Sequence, residues 1–390
     1  MLPSSATSTP PDSPTTSLAG PIEGEPLTPT GRFLGRGAAG RPPNPHERVR
    51  REDDLEQVAA DTDFLASKGL AAGAARLQTR VREERSRSIV THNDSPDVPY
   101  RWTLNPYRGC EHGCSYCYAR PGHEFLGSDA GLGFETEITA KTDAPELLRR
   151  WLARPAWRGE PISLSGVTDC YQPLERRLEI TRGCLRVAAE CRQPIGIVTK
   201  NALVTRDLDL LRELAEHRAV SVALTLTTLD AGLARRMEPR TSTPDQRLEA
   251  ITRLTEGGVP VHALLAPIVP GLNDHELPDL LQAARDAGAR SASYLLLRLS
   301  GSVRDVFFEW LRRVEPNRAR RVEALIRGVR GGGLNDTRFG RRMTGVGPYA
   351  GQIARTYRVF ANRFGLRTTP APLSNDAFRP PGSERQLALF

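Results

Sequence analysis

The sequence predicts an α/β fold in which six parallel strands form a partial barrel with helices packed around it. Between residues 98 and 300, short apolar segments alternate with stretches of helical periodicity, which is typical of repeated βα units. Several of these segments are almost continuously apolar, as expected for a parallel sheet covered by helices. The 390 residues are enough for one such domain with shorter segments at either end.

Six apolar segments are predicted to be the strands of this sheet. They are residues 101–105, 162–166, 195–199, 220–227, 261–267 and 292–297. Local signals mark the helices between them, since Thr243 and Gln246 have the spacing of a capping box. Asn273 and Glu276 repeat that pattern before the next predicted helix.

The segments on either side of this domain differ in composition. Residues 1–45 are rich in Pro, Ser, Thr and Gly without apolar periodicity, and are predicted to be a disordered tail. Residues 46–97 begin with a charged, Ala- and Glu-rich stretch and are predicted to be a helical extension. Residues 301–365 are predicted to be a helical C-terminal extension, and residues 366–390 a flexible tail that contains Pro and Ser.

Composition limits the compartment and the class of function. No run of about 18 apolar residues could cross a bilayer and no signal peptide is recognisable, so we expect a cytoplasmic protein without a membrane partner. Six cysteines in 390 residues argue against a disulfide scaffold and favour metal or redox chemistry where they cluster. The net charge of +8 is weak evidence for a nucleic-acid partner, because only three of the 54 basic residues are lysines and arginine is used throughout.

Three of the cysteines lie in one short loop. Cys110, Cys114 and Cys117 have the spacing C-x3-C-x2-C directly after the first predicted strand. Three thiolates suit an iron–sulfur centre, because a [4Fe–4S] cluster with three protein ligands leaves one iron free to be chelated by an amine and a carboxylate. A zinc site formed by the same cysteines and His112 is the alternative, although zinc sites usually combine two separated ligand pairs and no second pair is present.

The loop and the segments around it resemble the radical S-adenosylmethionine (SAM) superfamily. The C-x3-C-x-aromatic-C pattern, with Tyr116 before the last cysteine, carries this resemblance, which extends over about residues 98–300. The segments NPYRGCEHGC (from Asn105), TDCYQP (from Thr168) and MEPR (from Met237) are similar to the branch that contains spore photoproduct lyase, and most similar to its uncharacterised relatives. The resemblance implies a partial TIM-type (β/α)6 barrel. It also implies an enzyme that cleaves SAM reductively at a [4Fe–4S] cluster to form a 5′-deoxyadenosyl radical.

The resemblance further implies roles for residues of the first two βα units. Cys110, Cys114 and Cys117 would each bind one iron of the cluster. Tyr116 would lie against the adenine of SAM, and Thr168 would donate its hydroxyl to the amino-acid part of SAM. These five residues define the expected site at the carboxyl ends of the strands.

Later strands would complete the site. Lys200, at the end of the third predicted strand, would neutralise the SAM carboxylate, or else be a solvated residue at the start of a loop. Glu238 and Arg240 would hold ribose or carboxylate groups, or else form a surface ion pair. The segment 266–271 would offer its backbone to the adenine, or be an ordinary turn.

One position departs from the lyase pattern. Where the lyase has a hydrogen-donating cysteine before the matching Thr-Asp segment, this sequence has Gly166, and Cys170 lies four residues later. Cys170 is therefore a candidate catalytic hydrogen donor, or a small buried core residue. Cys184 and Cys191 fall on a helical pattern and are expected to pack. The departure argues against thymine-dimer repair as the reaction.

Two features suggest partners beyond an electron donor such as a flavodoxin or ferredoxin. The C-terminal sequence, with Gln386, Leu387, Leu389 and Phe390, resembles the short peptide that binds the bacterial sliding clamp. A basic run could contact phosphates, or could be a solvated helix face. It comprises Arg318, Arg320, Arg321, Arg327, Arg330, Arg338, Arg341 and Arg342.

Together these features predict a radical SAM enzyme that acts on nucleic acid or a damaged nucleotide. One alternative is a radical SAM enzyme acting on a peptide or a small metabolite, with the arginines incidental. Another is a non-enzymatic iron–sulfur or zinc protein that binds DNA as a regulator. SAM cleavage that responds to DNA but not to peptides would separate the first two, and the absence of SAM turnover would indicate the third.

Overall fold

A computed structural model describes residues 35–46 and 77–382. The predicted tail up to residue 34, the predicted helices between residues 47 and 76, and the C-terminal clamp-type sequence lie outside the described residues. No helix within the two described ranges is long and apolar enough to cross a membrane.

The strands of the described chain form two sheets. They are β1 Arg80–Glu83, β2 Val90–His92, β3 Trp102–Leu104, β4 Tyr107–Arg108, β5 Glu137–Ala140, β6 Ile162–Leu164, β7 Ile195–Thr199, β8 Val220–Thr225, β9 Val261–Ile268 and β10 Ser291–Leu296. The larger sheet has the order β10-β9-β8-β7-β6-β3-β2, and only its β2–β3 pair is antiparallel. Its six parallel strands are the six that the sequence predicts, so the predicted partial barrel is confirmed.

Helices follow most of the barrel strands and continue beyond the last one. They are Pro121–Glu124, Leu132–Thr136, Ala144–Leu152, Glu175–Leu178, Ile180–Cys191, Leu208–Glu216, Ala231–Met237, Pro244–Glu256, Leu277–Asp286, Val303–Val314, Pro316–Gly328, Arg341–Thr344 and Gly347–Arg363, with 3-10 turns at Ala202–Asp207 and Asp274–Glu276. The carboxyl ends of the six parallel strands lie at one end of the barrel, which we call the mouth.

The core lies between the parallel strands and these helices. Fully buried strand residues such as Ile162, Ile197 and Leu224 belong to the same apolar cluster as Leu148 and Leu254 of the helices. Alternating βα units explain this packing, because each helix returns the chain to the start of the next parallel strand and buries its apolar face on the sheet. The loops at the mouth are therefore held by a continuous packed core.

The two predicted helix starts have different outcomes. Thr243 and Gln246 form the capping box at the start of helix Pro244–Glu256. Asn273 does not cap the next helix, which begins at Leu277. The buried Asn273 side chain instead donates to the carbonyls of Thr227 (2.7 Å) and Pro267 (3.0 Å), so tertiary contacts at the end of β9 override the local signal.

The N-terminal part departs from the sequence-based expectation. Residues 80–83 and 90–92 are strands, where a helix was expected up to residue 97; β1 pairs with β5, and β2 pairs with β3. Residues 35–46, which we call the strap, pack on the loops at the mouth, with Arg36 and Ala38 buried, although a disordered tail was expected up to residue 45. Periodicity could not reveal the strap, because its order comes from polar and backbone contacts with residues far along the chain.

The C-terminal part also differs. Helices cover most of residues 301–365 as expected, but residues 366–382 are packed and do not form a free tail. Backbone hydrogen bonds join Arg367 to Arg290 and Ala292, Ser374 to Arg218, and Arg379 to Cys191. Phe378 covers Gly159, where any Cβ would lie 2.5 Å from its ring. Residues 366–382 thus form a belt across the amino ends of β6, β7, β8 and β10.

Candidate cluster and SAM site

The three clustered cysteines lie on the loop that follows β4 at the mouth. Cys110 and Cys114 are buried, Cys117 is half-buried, and all three are free thiols. Gly109 (φ +74°) and Gly113 (φ +65°) adopt the left-handed conformation that lets the loop turn back on itself. The sequence therefore brings three thiols onto one compact turn.

Neighbouring segments hold the backbone of this loop in place. The amide side chain of Gln172 accepts from Glu111 N (2.9 Å) and donates to the Gly109 carbonyl (3.3 Å). Further along the loop, Ser115 N donates to the carbonyl of Met237 (3.0 Å). Sequence reasoning assigned no role to Gln172, although it stands in the TDCYQP segment that carried part of the resemblance.

A fully buried ion pair lies behind the loop. Arg120 donates to the Cys114 carbonyl through Nε (3.0 Å) and Nη2 (2.8 Å), and to Glu135 Oε1 through Nη2 (2.6 Å). Its Nη1 donates to the carbonyls of Ala130 (2.7 Å) and Gly131 (3.0 Å). Every nitrogen of the guanidinium is thus engaged, as a buried charge requires. Neither residue was identified from the sequence.

His112 belongs to a polar network and is not turned toward the thiols as a ligand. Asn201 accepts from Leu203 N and Ser242 Oγ through Oδ1, so its Nδ2 faces His112 Nε2 at 3.2 Å. Nε2 therefore accepts, and Nδ1 carries the proton toward Asp169 Oδ2 at 3.4 Å. With both ring nitrogens engaged, the alternative of a zinc site that uses His112 is disfavoured.

Among residues 35–46 and 77–382, no three His, Cys, Asp or Glu side chains are grouped to hold a single metal ion. A [4Fe–4S] cluster does not need that grouping, because each of its thiolates binds a different iron.

Asp169 links the second and third barrel strands at the mouth. Its carboxylate accepts from Thr199 Oγ1 (2.8 Å), Lys200 N (2.8 Å) and Tyr171 N (2.9 Å). Burial would raise the pKa of Asp169, but the imidazole of His112 and these hydrogen bonds outweigh it and lower the pKa below its usual value. Asp169 was not singled out from the sequence, although its neighbour Thr168 was.

Three of the predicted SAM-binding residues come together. Lys200 Nζ donates to the Ala266 carbonyl (3.1 Å), lies 3.5 Å from Glu238 Oε1, and stands 5.6 Å from the centre of the Tyr116 ring. Burial lowers the pKa of Lys200 to about 8. The hydroxyl of Tyr116 is buried without any hydrogen-bond partner.

Glu238 and Arg240 are already engaged within the protein. Glu238 is buried and accepts from Thr227 Oγ1 (2.6 Å) and from the buried Arg247, and its Oε1 lies 3.5 Å from Lys200 Nζ. Arg240 Nη1 pairs with Glu111 Oε1 at 3.1 Å, beside the cysteine loop. Both residues therefore support neighbouring side chains, and their expected contacts with ribose or carboxylate groups stay a prediction.

Thr168 and Cys170 are also engaged within the protein. The hydroxyl of Thr168 donates to the Tyr107 carbonyl (3.0 Å), and its expected hydrogen bond to SAM stays a prediction. Cys170 is fully buried in the main core, its amide donates to Ser165 Oγ (2.8 Å) and its carbonyl accepts from Thr181 Oγ1 (2.7 Å). These contacts favour the packing role of Cys170 over that of a hydrogen donor.

The residues at the mouth fit a bound cluster and SAM. Three free thiols on one loop match the ligands of a [4Fe–4S] cluster with one open iron. A buried hydroxyl without a partner costs free energy, so the Tyr116 side chain indicates a missing bound group beside it. The amine of Lys200, close to the same ring, provides the charge that a carboxylate needs.

Comparison with known proteins identifies the family. A family model described as the radical SAM superfamily matches residues 104–284. An uncharacterised protein of Mycobacterium tuberculosis is 40% identical over 232 residues, which are 59% of this chain and 68% of that protein. An uncharacterised protein of Methanocaldococcus jannaschii is 30% identical over 177 residues, 45% of this chain and 63% of that protein. The chain belongs to the radical SAM superfamily, whose members use a [4Fe–4S] cluster and SAM.

Solved structures agree on the fold. Spore photoproduct lyase complexed with dinucleoside spore photoproduct has a TM-score of 0.54, with 14% identity over 74% of this chain and 81% of the lyase. A double mutant of that lyase with bound AdoMet and dinucleoside spore photoproduct has a TM-score of 0.52, with 14% identity over 81% of this chain and 94% of the lyase. At this identity the similarity concerns the fold, and it confirms the predicted radical SAM barrel.

Proposed function

We propose that this protein is a radical SAM enzyme that acts on nucleic acid or a damaged nucleotide, with its cluster on Cys110, Cys114 and Cys117. The observation that carries the proposal is the arrangement at the mouth: three free thiols on one loop, beside the Tyr116 hydroxyl that lacks a partner and the Lys200 amine.

The residues at the mouth have distinct tasks in this proposal. When bound, the cluster supplies the electron that cleaves SAM to methionine and a 5′-deoxyadenosyl radical. Lys200 neutralises the carboxylate of SAM, and Glu238 holds Lys200 in position from 3.5 Å. Tyr116 covers the adenine with its ring, and the buried surroundings of Cys110 and Cys114 keep water away.

The side chains at the rim of the mouth favour the proposal of a polyanionic substrate. Arg298 follows β10 and forms no close ion pair among the described residues; its Nη1 lies 3.9 Å from the sulfur of Met343, and the nearby carboxylate of Asp97 is paired with Arg342. A guanidinium without a close ion pair suits a phosphate, and the exposed rings of Tyr118 and Phe339 suit unpaired bases. The lyase that shares the fold was solved with a dinucleoside photoproduct, which also supports a nucleotide substrate.

Most of the basic run serves the protein itself. Arg330 is buried and donates to the carbonyls of Leu297 and Arg342. Ion pairs hold five others: Arg318 with Glu315, Arg327 with Glu323, Arg338 and Arg341 with Asp336, and Arg342 with Asp97. Phosphate binding is therefore expected at Arg298 more than along the run as a whole.

One experiment tests the enzyme class. The protein is reconstituted anaerobically with iron and sulfide, reduced with dithionite, and assayed for 5′-deoxyadenosine formed from SAM. Cys114→Ala should abolish the product, whereas Cys184→Ala, which removes a buried thiol from the core, should retain it. A protein that binds zinc and never cleaves SAM would instead support the regulator alternative.

The same assay tests the substrate class. Single-stranded DNA should increase the yield of 5′-deoxyadenosine and peptide pools should not. Arg298→Ala should weaken the response to DNA about tenfold, since a charge-assisted contact contributes about 1–3 kcal/mol. Arg304→Ala, at an exposed helical position, is the matched control. Stimulation by peptides alone would favour the alternative of a radical SAM enzyme that acts on a peptide.

Further partners and the location are proposed on the sequence alone. We propose a flavodoxin or ferredoxin as electron donor, a cytoplasmic location, and binding of the sliding clamp through Gln386, Leu387, Leu389 and Phe390. These four residues lie outside the described residues.

A further inference from the structure

We infer that the strap, residues 35–46, is a positioning element for the cysteine loop and acts on it through Glu135 and Arg120. The inference rests on the proposed cluster site, since it concerns how this chain holds the loop on which the cluster is expected. It assigns a role to a segment that precedes the barrel and has no place in the SAM site itself.

The strap is joined to the loop by a relay of buried polar groups. The carboxylate of Glu135 accepts from Gly37 N (3.0 Å) and Ala38 N (2.9 Å) of the strap. The same carboxylate accepts from Arg120 (2.6 Å), which in turn makes two hydrogen bonds to the carbonyl of Cys114. One continuous path that is excluded from water thus runs from the strap amides through the Glu135 carboxylate and the Arg120 guanidinium to the backbone of Cys114.

Direct contact reinforces this path. A Cβ atom at Gly37 would lie 1.8 Å from the carbonyl oxygen of Gly113 and 3.2 Å from Ser115 N, so only glycine fits there. The carbonyl of Gly37 also accepts from Arg313 of helix Val303–Val314 (3.3 Å). The strap is therefore pressed onto the residues that flank Cys114.

A second path reaches the other side of the loop. Arg36 donates to the Glu135 carbonyl (2.6 Å) and to Thr79 Oγ1 (3.1 Å). Thr79 donates onward to Glu111 (2.6 Å), which also pairs with Arg240. Because Glu111 directly follows Cys110, the strap influences the positions of two expected ligands.

The far half of the strap is anchored separately. Arg41 pairs with Asp129 (3.1 Å), and Asn44 donates to the carbonyls of Glu124 (2.8 Å) and Ser128 (3.1 Å). The strap contributes only Ala38 to a small apolar cluster, so polar groups and backbone dominate its contacts. Such contacts fix geometry more than they add to the hydrophobic core.

The test compares Gly37→Ala and Glu135→Gln with the matched control Gly122→Ala, where an added Cβ meets nothing within 4 Å. Each full-length protein is reconstituted, and two properties of the cluster are measured: the rate of iron release to a chelator and the electron paramagnetic resonance spectrum after reduction. The melting temperature of each variant is recorded alongside.

Gly37→Ala is expected to release iron about fivefold faster or more, and to shift the resonance spectrum, as loss of one or two contacts would do. Glu135→Gln, which keeps the shape of the side chain but removes its charge, should produce the same spectral shift. It should release iron more slowly than Gly37→Ala does. Gly122→Ala should match the unmodified protein. SAM cleavage should fall in parallel with cluster retention.

Other outcomes overturn the inference. Lower melting temperatures with unchanged spectra and iron release would show that the strap is only structural. If Gly37→Ala does not fold, Glu135→Gln alone decides, and an unchanged spectrum in that variant refutes the relay. If the unmodified protein retains no cluster, the proposed function itself fails; a cluster that is retained equally by all variants refutes only the inference.

Discussion

His262 is a buried histidine on β9, far from the cysteine loop in the chain. Its ring nitrogens lie 2.9 Å from Ser291 Oγ and 2.7 Å from Ser293 Oγ, both on β10. Burial lowers the pKa of His262 to about 4. Since the ordinary pKa of histidine is about 6.5, the unfolded chain binds this proton more readily than the native protein does.

The free energy of unfolding is therefore expected to fall as the pH is lowered from about 6.5 to about 4, by roughly 3 kcal/mol from this group. His262→Gln, which retains hydrogen-bonding capacity but cannot titrate, should flatten the pH dependence measured by denaturant unfolding. His275→Gln, at an exposed position, should leave it unchanged. Equal pH dependence in the native protein and His262→Gln would contradict the assignment.

At the level of single residues, the sequence predicts those site residues that belong to a short motif or end a predicted strand. The three cysteines, Tyr116 and Lys200 are of this kind, and the structure brings them to the mouth. The supporting residues could not be predicted, because their roles arise from partners distant in the chain. Arg120 and Glu135, for example, support the Cys114 backbone from positions that carry no local signal.

Helix Pro244–Glu256 shows how one element supports the site. Its capping box fixes the first turn, and that turn carries Arg247, whose guanidinium pairs with the buried Glu238. Glu238 lies beside Lys200, so the start of this helix is connected to the expected SAM carboxylate site through two side chains. The position of a helix terminus thereby affects the mouth.

Removal of the cap should weaken this element. Thr243→Ala is expected to lower the free energy of unfolding by about 1 kcal/mol, because Gln246 N loses its acceptor. Thr243→Ser keeps the hydroxyl and should recover most of the loss. Urea unfolding of the three proteins measures the difference. Identical midpoints for the alanine and serine variants would show that the hydroxyl does not contribute.

Elements with strong periodicity were predictable and those without it were not. The parallel strands are recognisable because each is short, apolar and followed by a helical pattern. Strands β1 and β2 lie in a charged stretch with half-exposed residues, so their pairing with β5 and β3 has no apolar alternation to reveal it. The strap and belt are ordered by long-range contacts alone.

On the scale of the whole molecule, the strap and the belt pack at opposite ends of the barrel. The strap packs beside the mouth, and the belt crosses the amino ends of the strands. Sequence composition suggests that both segments are disordered tails. It cannot decide the point, because Pro, Ser and Gly are as compatible with a tightly held irregular segment as with a disordered one.

The proposed clamp-binding sequence makes a prediction at this scale. Deletion of residues 386–390 should abolish binding to the bacterial sliding clamp but leave 5′-deoxyadenosine formation unchanged, since the proposed site uses residues of the barrel alone and is supported by the strap. Binding of the isolated peptide, measured by fluorescence anisotropy, should fall in the range of roughly tens of micromolar that is usual for short motifs. No binding in that range, or loss of SAM cleavage on deletion, would contradict the proposal.

The belt also determines from which side a tethered partner would approach. Its last anchored residues lie beside Cys191, before β7, whereas the expected substrate opening is at the carboxyl ends of the same strands. A partner bound to residues beyond the belt would therefore be attached at the end of the barrel opposite the substrate opening. The tethered protein and the substrate could then bind in one complex, and neither would have to dissociate before the other binds.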